Sequence, residues 1–139
     1  MSKIKTLRGL HYQVPPYTQA KLVRVIKGKV LDVALDIRKD SPTFGQHVSV
    51  ILSEENKYQF YIPRGFAHGF IALEDNTIFS YKCDNKYDKA SERGILFNDP
   101  ALNIDWVYSQ LEDLVVSEKD FKLPLFKDAE FFTKKEYNL

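Results

Sequence analysis

A chain of 139 residues can hold one domain with a substantial core, and its 20 Lys and Arg against 19 Asp and Glu leave a formal net charge of +1. That balance excludes a global field able to hold nucleic acid or an anionic membrane, so any anionic ligand must be met by local groups. The lone cysteine, Cys83, excludes an internal disulfide and a cysteine-rich zinc site, and no apolar run approaches the roughly 20 residues of a membrane span.

Residues 1–6 are short and polar and lack the basic flank and apolar run of a signal peptide, so a cytoplasmic location is expected. The ordered chain is expected to begin with Leu7-Arg8-Gly9-Leu10-His11-Tyr12-Gln13 and to stop at Val14-Pro15-Pro16, because consecutive prolines cannot donate to a ladder. An odd offset sends Arg8 and His11 to opposite faces of a regular strand, but Gly9 between them can mark a bulge that returns both to one cavity. The plainer account makes Arg8 a solvated charge and His11 a hydrogen-bonded barrel histidine.

Residues 20–27 and 29–38 are β-branched-rich runs broken by Gly28. In the first, Lys21, Val23 and Val25 share one face against Leu22, Arg24 and Ile26. In the second, Leu31, Val33, Leu35 and Ile37 form an apolar face opposite Asp32, Ala34 and Asp36. Residues 39–43 are a turn cluster, 46–52 alternate, 53–56 turn the chain, and 58–62 read as a strand that stops at Pro63. Residues 66–73 and 77–83 are expected to pair around the turn Glu74-Asp75-Asn76. Late in the chain, Ser117-Glu118-Lys119-Asp120 has the form of a capping box, and Pro124 limits the helix that follows. Short strands at this spacing, without a long amphipathic helix, predict a mainly β antiparallel sandwich or barrel with short C-terminal helical segments. No repeat, low-complexity tract or linker divides the chain, so residues 1–139 are read as one domain.

Of the three histidines, His47 lies in an alternating run and is read as structural or exposed. His68 sits in Pro63-Arg64-Gly65-Phe66-Ala67-His68-Gly69-Phe70, and that Pro-x-Gly-x-x-His string resembles the second motif of the cupins, a superfamily of small jelly-roll barrels. A metal-binding cupin would also offer His-x-His and a carboxylate, since an ion needs several converging donors. Here the comparable place reads His11-Tyr12-Gln13, and Lys21 falls near the position of the carboxylate. An ammonium repels a bound cation, so no metal is expected; nor is any other cofactor.

Such a barrel still has chemistry to offer. Removing a proton from carbon beside a ketone requires a base at the C–H and a positive or hydrogen-bonding group at the oxygen where enolate charge develops. His11 suits the base and Lys21 the electrophile; a phenol such as Tyr81 suits a donor on the opposite face. The alternatives are a strand-edge charge for Lys21 and a barrel-wall aromatic for Tyr81.

With these residues in view, the chain resembles the dTDP-4-dehydrorhamnose 3,5-epimerases, metal-independent cupins of nucleotide-sugar biosynthesis. The likeness runs from residue 7 to about residue 120. It includes the Leu7 string, Lys21-Leu22-Val23-Arg24, Asp36-Ile37-Arg38, Ser41-Pro42-Thr43-Phe44-Gly45, Ile62 followed by the Pro63 string, Tyr81-Lys82-Cys83, Asn98-Asp99-Pro100 and Ser117-Glu118-Lys119-Asp120.

The resemblance implies a cupin-type antiparallel jelly-roll barrel in which His11 is the general base, oriented by Asp120; a carboxylate partner raises the basicity of an imidazole and fixes its tautomer. Asp120 also reads as the third residue after Ser117 in the capping box. Lys21 matches the enolate-stabilising lysine and Tyr81 the opposite-face acid. Arg8 and His68 match the sugar and phosphate end of the pocket, and Tyr87 and Glu92 the nucleobase end, where a tyrosine face can stack on thymine.

The implied substrate is a dTDP-sugar, dTDP-4-dehydro-6-deoxy-glucose, whose C4 ketone lies between C3 and C5, and the implied partner is a second copy in a homodimer, with no nucleic acid and no membrane. Family members usually carry a longer segment before the Arg-Gly-Leu-His string, and this chain starts six residues before Leu7, so that extension is expected to be missing. A single-site epimerase or ketoisomerase, a non-catalytic sugar-nucleotide-binding cupin and a metal-dependent cupin oxygenase are the competing readings.

Overall fold

The computed structural model describes residues 2–108 and 110–137, in which the β-branched runs become strands. In chain order these are β1 (Thr6–Gln13), β2 (Lys21–Lys27), β3 (Lys29–Asp36), β4 (His47–Ser53), β5 (Gln59–Ile62), β6 (Phe66–Ala72), β7 (Ile78–Cys83), β8 (Glu92–Gly94) and β9 (Val115–Val116), with two short helices, α1 (Glu118–Phe121) and α2 (Lys134–Tyr137). One sheet has the order β4-β3-β6-β1-β8, with β9 added alongside β1; the other is β5-β2-β7. Pairing is antiparallel throughout except between β1 and β9. Among the described residues no helix is long and apolar enough to cross a membrane.

Consecutive strands repeatedly change sheets, which makes this a jelly roll rather than a meander. The chain leaves β2 and enters β3 at Gly28, where φ is +90° and a Cβ would overlap Thr77 Oγ1. The hairpin expected for residues 66–73 and 77–83 is not formed. β6 pairs with β3 on one edge and β1 on the other, so it has no edge left for β7, which crosses to the second sheet and pairs with β2.

The apolar residues divide into two cores. Val23, Val25, Val30, Ala34, Leu52 and Ile62, with Phe60, Phe66, Phe70 and Phe79, fill part of the space between the sheets. Leu7, Leu10, Leu31, Val33, Leu35 and Ile37 instead face outward, where Ile95, Phe97, Leu102, Trp106 and Tyr137 cover them. The alternation in β3 therefore has its apolar side under this C-terminal coat, and Asp32 and Ala34 point into the interior between the sheets.

At the end of β3, Asp36 is satisfied on both carboxylate oxygens. Oδ1 accepts from Arg38 N and Nε at 3.0 Å, and Oδ2 accepts from Arg38 Nη2 at 2.9 Å, from Ser41 Oγ at 2.6 Å and from the Thr43 hydroxyl. Burial pushes its carboxyl up, but hydrogen bonds from Arg38, Ser41 and Thr43 outweigh that and hold it far below the usual carboxylate range. The loop over residues 39–45 is tied to β3 by this network.

Candidate active site

The Gly9 bulge brings the first two candidates together. Arg8 is opposite Phe70 and His11 is opposite His68, so β1 spends one more residue than β6 between these pairs. Gly9 has φ +134°, and a Cβ on it would lie 2.6 Å from Gly69 Cα and 3.0 Å from the His68 carbonyl oxygen. Only glycine allows this approach. The extra residue leaves Leu7 and Leu10 both in the outer core, while Arg8 and His11 both face the interior.

The facing sheet supplies the remaining groups. On β2 and β7, Lys21 is opposite Cys83 and Val23 is opposite Tyr81, which sets Lys21, Tyr81 and Cys83 on the same inner side. The Lys21 ammonium lies 5.9 Å from the centre of the Tyr81 ring. The result is a cleft with two compartments. One, of about 320 Å³, is lined by residues that include His11, Lys21, Tyr81, Tyr87 and Glu92. The other, of about 130 Å³, is lined by Arg8, His11, Lys21, His68 and Tyr81 together with Gly69, Phe70 and Phe79. His11, Lys21 and Tyr81 belong to both, so the expected proton-transfer groups share one space.

Asp120 lies behind His11, with its Oδ1 2.7 Å from His11 Nε2 and its Oδ2 accepting from Gly9 N at 3.2 Å. An ionised carboxylate can only accept, so Nε2 carries the proton and Nδ1 keeps the basic lone pair. The side chain of Asp120 is 5% exposed against 31% for His11, so the carboxylate is held in the wall and the imidazole edge is open. The two readings of Asp120 are both satisfied: its backbone N–H donates to Ser117 Oγ at the start of α1 while its side chain turns toward His11.

Burial pushes the Lys21 ammonium below its ordinary value, and negative charge at Cys83, Asp32 and Glu92 opposes the fall. For Glu92, burial pushes the carboxyl up, but the hydrogen bond and charge of Lys119, then the charge of His11 and the Tyr87 hydroxyl, bring it below the usual range. Lys119 Nζ donates to Glu92 Oε1 at 2.6 Å.

Two members of this cluster, Asp32 and Lys119, were not singled out by sequence reasoning. Asp32 was hidden in an alternation that reads equally well as a solvent face, and Lys119 in a helix start where a lysine is unremarkable. Asp32 Oδ1 lies 2.6 Å from His68 Nε2. Among the described residues no group of three or more His, Cys, Asp or Glu side chains could hold a metal ion.

Two face-to-face antiparallel sheets with jelly-roll connections and a site on their inner surfaces place the chain among the cupins. The family is narrower than that: the chain belongs to the dTDP-4-dehydrorhamnose 3,5-epimerase family, whose model matches residues 1–128. It is 54% identical over 126 residues to the dTDP-4-dehydrorhamnose 3,5-epimerase of Shigella flexneri, a match covering 91% of this chain and 68% of that one.

Among solved structures, the dTDP-4-dehydrorhamnose 3,5-epimerase from Elizabethkingia anophelis superimposes with a TM-score of 0.90 at 52% identity, over 94% of this chain and 70% of that one. The dTDP-6-deoxy-D-glucose-3,5-epimerase from Legionella pneumophila, solved with dTDP-4-keto-L-rhamnose, gives 0.88 at 49% identity, over 95% and 70%. The chain thus spans about two thirds of the length of these relatives.

Proposed function

We propose that the chain epimerises dTDP-4-dehydro-6-deoxy-glucose at C3 and C5 to dTDP-4-dehydro-L-rhamnose. The observation that carries the reading is the placement of His11, backed by buried Asp120, on one sheet, with Lys21 and Tyr81 on the other, all lining one cleft. A sugar ring held between the sheets has the base on one side and the phenol on the other. His11 Nδ1 takes the proton from the carbon beside the ketone, and the C–H electron pair moves into the enolate, whose oxygen is met by the Lys21 ammonium. The Tyr81 hydroxyl then returns a proton from the opposite side; its phenolate is reprotonated from solvent, and His11 gives its proton up to solvent.

C3 and C5 both flank C4, so a single enolate-stabilising group serves either carbon. General-base work is typically worth about 10² to 10⁴ in rate, and one oxyanion donor about 10² to 10³. Arg8 and His68 are assigned to the sugar and phosphate end, and Tyr87 and Glu92 to the nucleobase end. The larger compartment, about 320 Å³, falls in the range of small-molecule sites. The reading includes a cytoplasmic homodimer. Leu22, Ile26, Val48, Ile51, Tyr58 and Tyr61 are exposed and give a second copy apolar surface to cover, and an exposed free thiol at Cys83 suits a reducing compartment.

The test is incubation with dTDP-4-dehydro-6-deoxy-glucose in deuterated water, followed by proton NMR of the product. Deuterium at both C3 and C5 is expected, and its loss is expected in His11→Ala with the fold retained. Exchange at one carbon alone would make the chain a single-site epimerase, and binding without exchange would make it a non-catalytic sugar-nucleotide protein.

A further inference from the structure

Asp32 lies on the inner face of β3 with no exposure to solvent, and it is not among the residues lining either compartment of the cleft. Its neighbours on that side of the strand, Val30 and Ala34, belong to the apolar inner core. An ionised carboxylate in such surroundings costs several kcal/mol unless it is fully compensated, so packing alone would favour an aliphatic residue here. The compensation is incomplete. Oδ1 accepts from His68 Nε2 at 2.6 Å, while Oδ2 has no hydrogen-bond partner among the described residues. Asp36, two positions along the same strand, shows what a structural carboxylate looks like in this fold, with donors on both oxygens.

What Asp32 does have is influence over two groups that line the cleft. Phe79 stacks on His68 with ring centroids 6.2 Å apart and planes 18° apart, and Phe70 lies 6.4 Å away. These rings restrain the plane of the imidazole, but they do not choose which nitrogen faces β3. The carboxylate makes that choice, because it can only accept. Across the sandwich, Asp32 is also one of the negative groups that oppose the effect of burial on the Lys21 ammonium; the others are Cys83 on β7 and Glu92 on β8. Arg8, His11, Tyr12, His68, Tyr81 and Tyr87 complete the titratable and charged groups that line the cleft with Lys21. Cys83 and Glu92 line the larger compartment, which is open to solvent, whereas Asp32 is fully enclosed, where its charge is least screened.

We propose that Asp32 is a positioning residue for the epimerisation: it fixes the orientation of the His68 ring and supplies the enclosed negative charge that keeps the Lys21 ammonium in place for the enolate oxygen. The assignment deepens the function proposed above and rests on it for its catalytic meaning. Its electrostatic content can be read without turnover.

Asp32→Asn preserves shape and an acceptor for His68 while removing the charge. In substrate-free enzyme, the Lys21 ¹³Cε signal is expected to titrate about one pH unit lower in this variant than in the wild type. In turnover, the alkaline limb of the kcat/KM profile for solvent exchange is expected to move down by the same amount, with kcat at neutral pH falling roughly tenfold or more and KM changing less. A Lys21 titration and an alkaline limb that both stay at their wild-type positions would overturn the proposal.

The titration is read without substrate, so it decides the role of Asp32 even if the wild-type enzyme shows no exchange, an outcome that would count against the proposed function alone. Should the variant fail to fold, the wild-type protein still decides. A ¹³C-labelled Asp32 carboxyl should report the loss of the Lys21 proton as a change in its chemical shift, and a carboxyl signal indifferent to that step would overturn the assignment.

Discussion

Gly9→Ala puts the link between local geometry and chemistry under the sharpest test. An added Cβ would lie 2.6 Å from Gly69 Cα and 3.0 Å from the His68 carbonyl oxygen, at φ +134°. Both contacts are with the backbone of β6, a central strand that cannot retreat without disturbing β3. Holding an L residue at this φ costs about 1–3 kcal/mol, and relieving the overlap costs about 1–3 kcal/mol more, for a total of roughly 2–6 kcal/mol. In a chain of this size each kcal/mol lowers Tm by roughly 3–4 °C, so a fall of about 6–24 °C is expected by calorimetry or circular dichroism.

The relief must also push β1 away from β6 beside the His11 and His68 pair, and a displacement near 1 Å at reacting groups costs on the order of 10² in rate. Turnover measured well below the variant's Tm should therefore fall as well. Gly45→Ala is the control: its φ is +83°, but its Cβ would meet only the Phe126 ring at 3.4 Å, far from the cleft, so it should lose some stability and keep full kcat. A Gly9→Ala protein with wild-type Tm and wild-type turnover would refute the argument that glycine is what lets Arg8 and His11 share the cavity.

Asp120→Asn is expected to lower kcat by about 10² or more, because the His11 ring loses the negative charge behind it, and an amide, which donates as well as accepts, no longer fixes its tautomer. The Ser117 cap onto residue 120 remains, but one amide oxygen cannot serve both His11 Nε2 and Gly9 N, so Tm should also fall by several degrees; a kcat close to wild type would sink the dyad. In Tyr81→Phe, proton removal should survive while delivery to the opposite side fails, and NMR in deuterated water should show washed-in deuterium exceeding inverted product. Equal loss of both signals would mean that Tyr81 does not act as the donor.

The Asp36 network predicts an acid limb of stability. Its folded carboxyl titrates far below the unfolded one, so its contribution is complete above the unfolded value near 3.8 and is lost as the pH falls below it. Tm plotted from pH 7 downward should fall more gently in Asp36→Asn than in the wild type, and parallel curves would contradict the assignment.

The strands themselves were legible because alternation and β-branching report local conformation, and residues 21–27 and 29–36 form strands much as the pattern suggests. The partner of a strand is a different matter. The runs on either side of Glu74-Asp75-Asn76 look locally like the arms of a hairpin. The pairing was decided by long-range competition: β6 is already bonded on both edges by β1 and β3, while β2 has an edge open to β7. No property of the turn carries that information, since it depends on chain more than thirty residues away.

The site divides along the same line. The shared face of Arg8 and His11 could be read from Gly9, because the reason for it is local. The partnership of His11 with Asp120 spans 109 residues and was accessible only through resemblance. Asp32 escaped for a subtler reason: a period of two says which residues share a face, but it does not say which face meets solvent. The intuitive choice sends the apolar side inward and the polar side out.

Here the C-terminal coat of Ile95, Phe97, Leu102, Trp106 and Tyr137 roofs the outer surface of the large sheet and takes the apolar sides of β1 and β3. The interior between the sheets is thereby left free to hold Arg8, His11, Asp32 and His68, opposite Lys21 and Tyr81. In a sandwich whose outside is covered by later chain, polar residues interrupting a central strand therefore mark the inner cavity. Asp32 and His11 meet that criterion before any family likeness is considered, and the coat that makes it valid can itself be recognised from the aromatic and aliphatic residues clustered after β8.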